Sequence, residues 1–154
     1  MPEIRGSVFI RRPPQVVADY VTTPATWPEW YPLTRSVSGP VDRTPAPGVV
    51  WQERVRIGLF PFTFTWRTLE DDRPRRYRYQ GSSNAGGLGT ITYEFEAEGE
   101  GTRWSRTLTY RQDHWWTRLL DTLFLHGVIR RASDRALLNA RDRLEAQRGS
   151  GPGG

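Results

Sequence analysis

HWWTRLLDTLFLHGVIRRASDRALLNARDRLEAQ, residues His114 to Gln147, is the stretch that decides how this chain folds. It holds no proline and one glycine, and its apolar residues recur at three-and-four spacing: Trp116, Leu119, Leu120, Leu123 and Phe124, then Leu137, Leu138 and Leu144. That periodicity predicts one long helix. About 30 residues at about 1.5 Å rise make about 45 Å of helix, longer than a small domain usually buries, so the rest of the chain must wrap around it. Around Gly127 to Asp134 the apolar direction is interrupted, and Arg130, Arg131 and Asp134 turn up near the side that was apolar one turn earlier. Either the middle of the helix closes a pocket, or the helix is a surface one with a kink or a drifting stripe.

Upstream of the helix the chain reads as strand after strand. Thr102 to Arg111 alternates Trp104, Arg106, Leu108 and Tyr110 against Arg103, Ser105, Thr107 and Thr109. Thr90 to Glu98 sets Ile91, Tyr93, Phe95 and Ala97 against polar residues, and Arg75 to Gln80 sets Tyr77 and Tyr79 against Arg76 and Arg78. Phe62 to Leu69 places Phe62, Phe64 and Trp66 on one face, and Val49 to Ile57 places Trp51, Glu53, Val55 and Ile57 on one face. Ser36 to Asp42 is short and polar. This period of two predicts half-buried antiparallel strands. Gly81 to Gly89, GSSNAGGLG, lacks the lysine of a phosphate loop and does not lead from strand into helix; it predicts a hairpin loop or a mobile rim.

Glu3 to Arg12 predicts a first strand with Ile4, Gly6, Val8 and Ile10 on one side. Pro13 and Pro14 stop it and open a helix over Gln15 to Thr22, since proline fits a first helical turn. A second short helical piece, Ala25 to Trp30, follows Pro24. The order is strand, two short helices, about six antiparallel strands, long helix. The fold class is α+β, a curved antiparallel sheet of six to seven strands covered by its terminal helix.

Composition removes several functions. With no cysteine, disulfides, thiol catalysis and thiolate metal sites are excluded, and His114 and His126, twelve residues apart on one predicted helix, do not clamp one metal ion. No metal or other cofactor is expected. The formal net charge is +5, and all 22 basic residues are arginine, but acids are interspersed among them, so no nucleic-acid partner is expected. No apolar run of about 20 residues is present and the N-terminus lacks the order of a signal peptide, which points to a cytoplasmic protein with no transmembrane segment. Residues 1–147 are read as one ligand-binding domain and 148–154 as a disordered tail; the oligomeric expectation is monomer or homodimer. Seven tryptophans and six tyrosines suit either an aromatic core or a cavity that holds a large apolar ligand and still orients it.

SVFIRRPPQVVADYVTTPATWPEWYP, Ser7 to Pro32, resembles the opening of START-like helix-grip domains, the SRPBCC or Bet v 1-like superfamily, and looks most like its polyketide cyclase/dehydrase group. The matching features are the strand running into Pro13-Pro14, Val17 and Tyr20 in the first helix, Pro24, and the cluster Trp27 to Pro32. Gly101-Thr102-Arg103 and the long terminal helix match as well, so the resemblance spans residues 3 to 147. It implies a cavity between sheet and terminal helix for hydrophobic molecules such as lipids, polyketides or quinones. It implies no shared catalytic motif.

Within that cavity the alternation carries Glu53 inward with Trp51 and Arg106 inward with Trp104. Buried charges are costly unless paired or used. The two form an ion pair inside the sheet, or they orient a carbonyl or carboxylate with Tyr77, Tyr79 or His126 as hydrogen-bond donor or general acid. Glu53, Arg106 and His126 are the candidate catalytic residues. Trp51, Trp66, Tyr77, Tyr79, Tyr93, Tyr110 and Phe124 join them as candidate cavity lining. Trp27, Trp30 and Tyr31 are either a pocket rim or a packed plug, with packing the favoured reading. The leading expectation is a binder of a hydrophobic small molecule; the alternatives are a cyclase or dehydrase using the same pocket, and a module that packs Trp115 to Ile129 on a protein or membrane.

Overall fold

The computed structural model describes residues 3–120 and 124–150. Strand β1 (Glu3–Ile10) is followed by helix α1 (Pro14–Thr22), a single 3-10 turn (Pro24–Thr26) and the short helix α2 (Trp27–Trp30). Six strands come next: β2 (Thr34–Ser38), β3 (Val50–Ile57), β4 (Phe60–Asp72), β5 (Arg76–Ser83), β6 (Gly87–Glu98) and β7 (Gly101–Gln112). All seven strands form one antiparallel sheet in the order β1-β7-β6-β5-β4-β3-β2. The expected α+β helix-grip architecture is the one observed. Alternation decides the inner face: Ile4, Val8, Trp51, Val55, Trp66, Tyr77, Tyr79, Ile91, Tyr93 and Trp104 are buried, while Arg54, Arg67, Glu94 and Glu96 face water.

The terminal helix expected over 114–147 is described as two segments, α3 (Trp115–Leu120) and α4 (His126–Ser150). Residues 121–123 between them, and with them Leu123, lie outside the described residues, as do the side chains of Trp116 and Leu120 and the end of the tail, 151–154. Helix α4 presents Ala132, Ala136, Ala140 and Leu144 at every fourth position, with Ser133 and Leu137 beside them, all buried. A ridge of alanines permits close approach to β1. Gly6 makes the same allowance from the sheet side, since a Cβ there would lie 2.8 Å from Leu137 Cδ1. Two hydrogen bonds pin the helix, Arg12 Nη1 to the Leu144 carbonyl (2.8 Å) and Asn139 Nδ2 to the Trp30 carbonyl (3.1 Å). Arg130, Arg131 and Asp134, the interruption in the stripe, are exposed, while Ile129 in the same middle stretch faces the sheet.

The hairpin loop expected over Gly81 to Gly89 is present but shorter than that span. Strand β5 runs to Ser83 and β6 begins at Gly87, leaving a turn of three residues, and Gly81 pairs with Gly89 in the ladder. Gly81 serves space rather than flexibility: a Cβ there would collide with the ring edge of Trp66 and the Thr65 carbonyl oxygen.

Candidate functional site

Between the inner face of the sheet and the start of α4 lies a cavity of about 190 Å³. It exists because α4 packs on the sheet through its alanine ridge only from Ala132 onward, while Ile129, about one turn earlier, and Leu125, just before α4, line the space left between. The deep wall is aromatic. Trp27 stacks on Tyr79 with centroids 5.4 Å apart, and Tyr79 meets Trp66 edge-on at 5.0 Å and Tyr93 at 5.6 Å. The Tyr79 and Tyr93 hydroxyls share a hydrogen bond of 2.9 Å. Burial pushes both phenols up from their ordinary range, Tyr79 well up, so both stay neutral. Toward the turns between β3 and β4 and between β5 and β6, the lining passes to Ile57, Phe62, Ala85 and Gln112, which are only partly buried. The cavity therefore opens at that end of the sheet.

Three charged residues line it: Arg111, exposed at the open end, and two buried ones, Glu53 (5% exposed) and Arg106 (3% exposed). Glu53 Oε2 accepts a 2.5 Å hydrogen bond from Thr34 Oγ1, and Oε1 accepts one of 3.0 Å from the Trp66 indole. Burial raises its pKa, against the pull of those two donors and of the Arg106 charge. Arg106 reaches from β7 to α4, where Nη1 donates to Ser133 Oγ (2.9 Å), and its guanidinium lies over the Tyr31 ring at 5.0 Å. Its Nε is buried without a hydrogen-bond partner. Burial alone would lower the arginine pKa; the phenols of Tyr31, Tyr93 and Tyr79 outweigh it, and the group stays charged. The expected Glu53 to Arg106 ion pair does not form: the ion pairs among the described residues include no contact between them within 4.0 Å. Glu53 instead has both oxygens filled by Thr34 and Trp66.

Of the sequence candidates, Glu53, Trp66, Tyr79, Tyr93, Arg106 and Tyr110 line the cavity. Trp51 is buried behind it, packed against Trp27 at 6.0 Å and Tyr79 at 5.7 Å. Tyr77 is drawn aside, its hydroxyl donating to the Pro45 carbonyl (2.9 Å) and sharing a 2.7 Å bond with Thr68. His126 stands behind the wall, with Nδ1 3.0 Å from the Tyr110 hydroxyl. Phe124 is 66% exposed and does not line the cavity; Leu125 does. One residue along a helix turns a side chain by about 100°, enough to move it from wall to solvent. Trp27 and Trp30 are buried in the core and, together with Tyr31, also line the cavity, so packing and lining both apply. Thr34, Ser133, Leu125 and Ile129 went unnoticed in the sequence. A serine between Ala132 and Ala136 on a helix face was a signal, but its partner on β7 follows only from the packing.

Fold and cavity together define a START-like helix-grip domain. Residues 1–145 match the family model described as polyketide cyclase / dehydrase and lipid transport, and the chain belongs to that family. No curated protein matches the sequence. Among solved structures, the chain is similar to TTHA0849 from Thermus thermophilus, with TM-score 0.77 and 22% identity over 97% of this chain and 100% of that one. It is also similar to the Zhui aromatase/cyclase from a Streptomyces species, with TM-score 0.76 and 16% identity over 95% and 94%. Ara h 8.0201 superposes with TM-score 0.66 at 13% identity over 94% and 98%. At these identities the likeness is one of fold. Among the described residues no helix is long and apolar enough to cross a membrane, and no three histidine or acidic side chains are grouped to hold a metal ion.

Proposed function

We propose that this domain binds one hydrophobic small molecule, elongated or ring-bearing, in the cavity between the sheet and α4. The observation that carries the reading is the space itself: about 190 Å³ under Leu125 and Ile129, walled by aromatic rings and opening at one end of the sheet. Tightly packed interiors leave few voids larger than a water molecule, so a cavity of this size in an aromatic core is a place kept for a ligand. Membership of a family described by cyclase, dehydrase and lipid transport supports the same reading.

Displacement of a fluorescent apolar dye tests it. The wild-type protein binds the dye saturably at one site, and Ile129→Trp, which fills the space from α4, removes binding while the far-UV circular dichroism stays unchanged. Undiminished binding by Ile129→Trp would overturn the cavity as the site.

A second reading rests on Glu53. Burial shifts the Glu53 carboxyl toward the protonated form that a proton donor needs, and Arg106, which lines the same cavity, is suited to hold a developing enolate oxygen. This is the equipment of a cyclase or dehydrase acting on a carbonyl-rich substrate. Under this reading Glu53→Gln still binds the poly-carbonyl compound but no longer converts it. Binding without conversion by the wild-type protein leaves the binding function alone standing.

A further inference from the structure

Arg106 is a cation held at the bottom of an apolar cavity with no carboxylate in ion-pair contact among the described residues. The alternation Trp104, Arg106, Leu108, Tyr110 forces it to the inner face of β7. It lies six residues before Gln112, about 20 Å of strand at about 3.3 Å per residue. Gln112 marks the end of the lining where the cavity opens. A guanidinium in such a place is ordinarily tied down by a carboxylate or by several carbonyl oxygens. Here one serine hydroxyl, one aromatic face and neighbouring phenols hold it, and Nε–H is unmatched. The acid nearest in the cavity, Glu53, has both oxygens engaged by Thr34 and Trp66.

Resting on the cavity reading above, we infer that the ligand is an apolar carboxylic acid that enters tail-outward, its carboxylate seated against the Arg106 guanidinium at the closed end of the cavity. Two oxygens in a plane match the donor fork of arginine. A phosphate fits less well, because one cation beside the Glu53 carboxyl does not balance a dianion. The tail then lies along the apolar walls toward the opening, in contact with Leu108, Leu125 and Ile129. Arg106 and Ser133 together make the head site, Ser133 fixing Nη1 so that the rest of the fork faces the ligand.

Matched pairs of probes separate head from tail. Decanoate is compared with decanol, and naphthoate with naphthalenemethanol, by dye displacement at about pH 8, where the free acids are ionised. Charge-assisted hydrogen bonds in a buried site predict that each acid binds at least about tenfold more tightly than its alcohol. In Arg106→Gln the acid falls to within about twofold of the alcohol while the alcohol keeps its affinity. If Arg106→Gln does not fold, the acid-to-alcohol ratio of the wild-type protein decides the question by itself. Equal affinity for acids and alcohols in the wild type would overturn the acid assignment and leave the cavity function intact. A preference that survives Arg106→Gln would overturn the role of Arg106. Failure of the dye and all four probes to bind would overturn the cavity function, and this inference with it.

Discussion

The two ends of the cavity are built from the same residue types and treat them in opposite ways. At the closed end Trp30 meets Trp104 edge-on at 5.6 Å, Tyr93 meets Trp104 at 5.4 Å, and all three are almost fully buried. At the open end Leu59, on the turn between β3 and β4, and Phe60, the first residue of β4, are 85% and 70% exposed, and Trp115 at the start of α3 is 76% exposed. Apolar area stabilises a fold only where it leaves water. The closed end therefore carries the stability of the domain, and the open end is free to serve entry.

The sharpest test of that division is Trp104→Ala. Removing a fully buried indole leaves a void beside Trp30 and Tyr93 and should lower the unfolding free energy by about 3 to 5 kcal/mol in urea titration. A cost under about 1 kcal/mol would mean that the closed end is not the core. Gly81→Ala comes next. The added methyl is driven into the ring edge of Trp66 and the Thr65 carbonyl, so the strand must move or Trp66 must rotate out of the cavity wall, at a cost of about 1 to 3 kcal/mol. The same substitution at Gly99, on an open turn, meets no neighbour; its cost comes only from a φ of 56°.

These two residues also show where the sequence was legible and where it was not. Trp104 was readable from alternation alone, as were Glu53 and Arg106, because a period of two fixes which face a side chain takes once the partner face is apolar. Gly81 was misread. A run of glycines looks like flexibility until the pairing of Gly81 with Gly89 and the ring of Trp66 across the ladder are known, and both are long-range facts. The Glu53 to Arg106 ion pair failed for a similar reason. Opposite charges on one inner face suggested each other, but Thr34 enters from β2 and Ser133 from α4, and the hydroxyls took the places a charge partner would have filled. Phe124 failed through one position of helical phase, at the end of a segment whose residues 121–123 lie outside the described structure.

Glu53→Gln sharpens the comparison along the pH axis. Burial sets the folded-state pKa of Glu53 above the unfolded value of about 4.3. Between those two values the folded protein keeps a proton that the unfolded chain releases, so wild-type stability falls as pH rises through that window. Glutamine does not ionise and escapes the loss; its carbonyl still accepts from Trp66 and its amide faces Thr34. The variant should match the wild type below about pH 4 and exceed it above the window by about 1.4 kcal/mol for each unit the folded pKa is raised. A pH-independent difference between the two proteins would show that Glu53 is not the group responsible.

The smallest effect belongs to the open end. Leu59→Ser with Phe60→Ser removes two large apolar groups that water already reaches, so the unfolding free energy should change by less than about 0.5 kcal/mol. Neither residue lines the cavity, and dye affinity should be unaltered. The contrast with Trp104→Ala holds only if nothing covers this tip in solution. A loss of about 2 kcal/mol that grows with protein concentration would mean that the tip is buried against a second copy of the chain, as mass action requires. The open end would then be an interface, and the cavity would open toward a partner subunit instead of toward water.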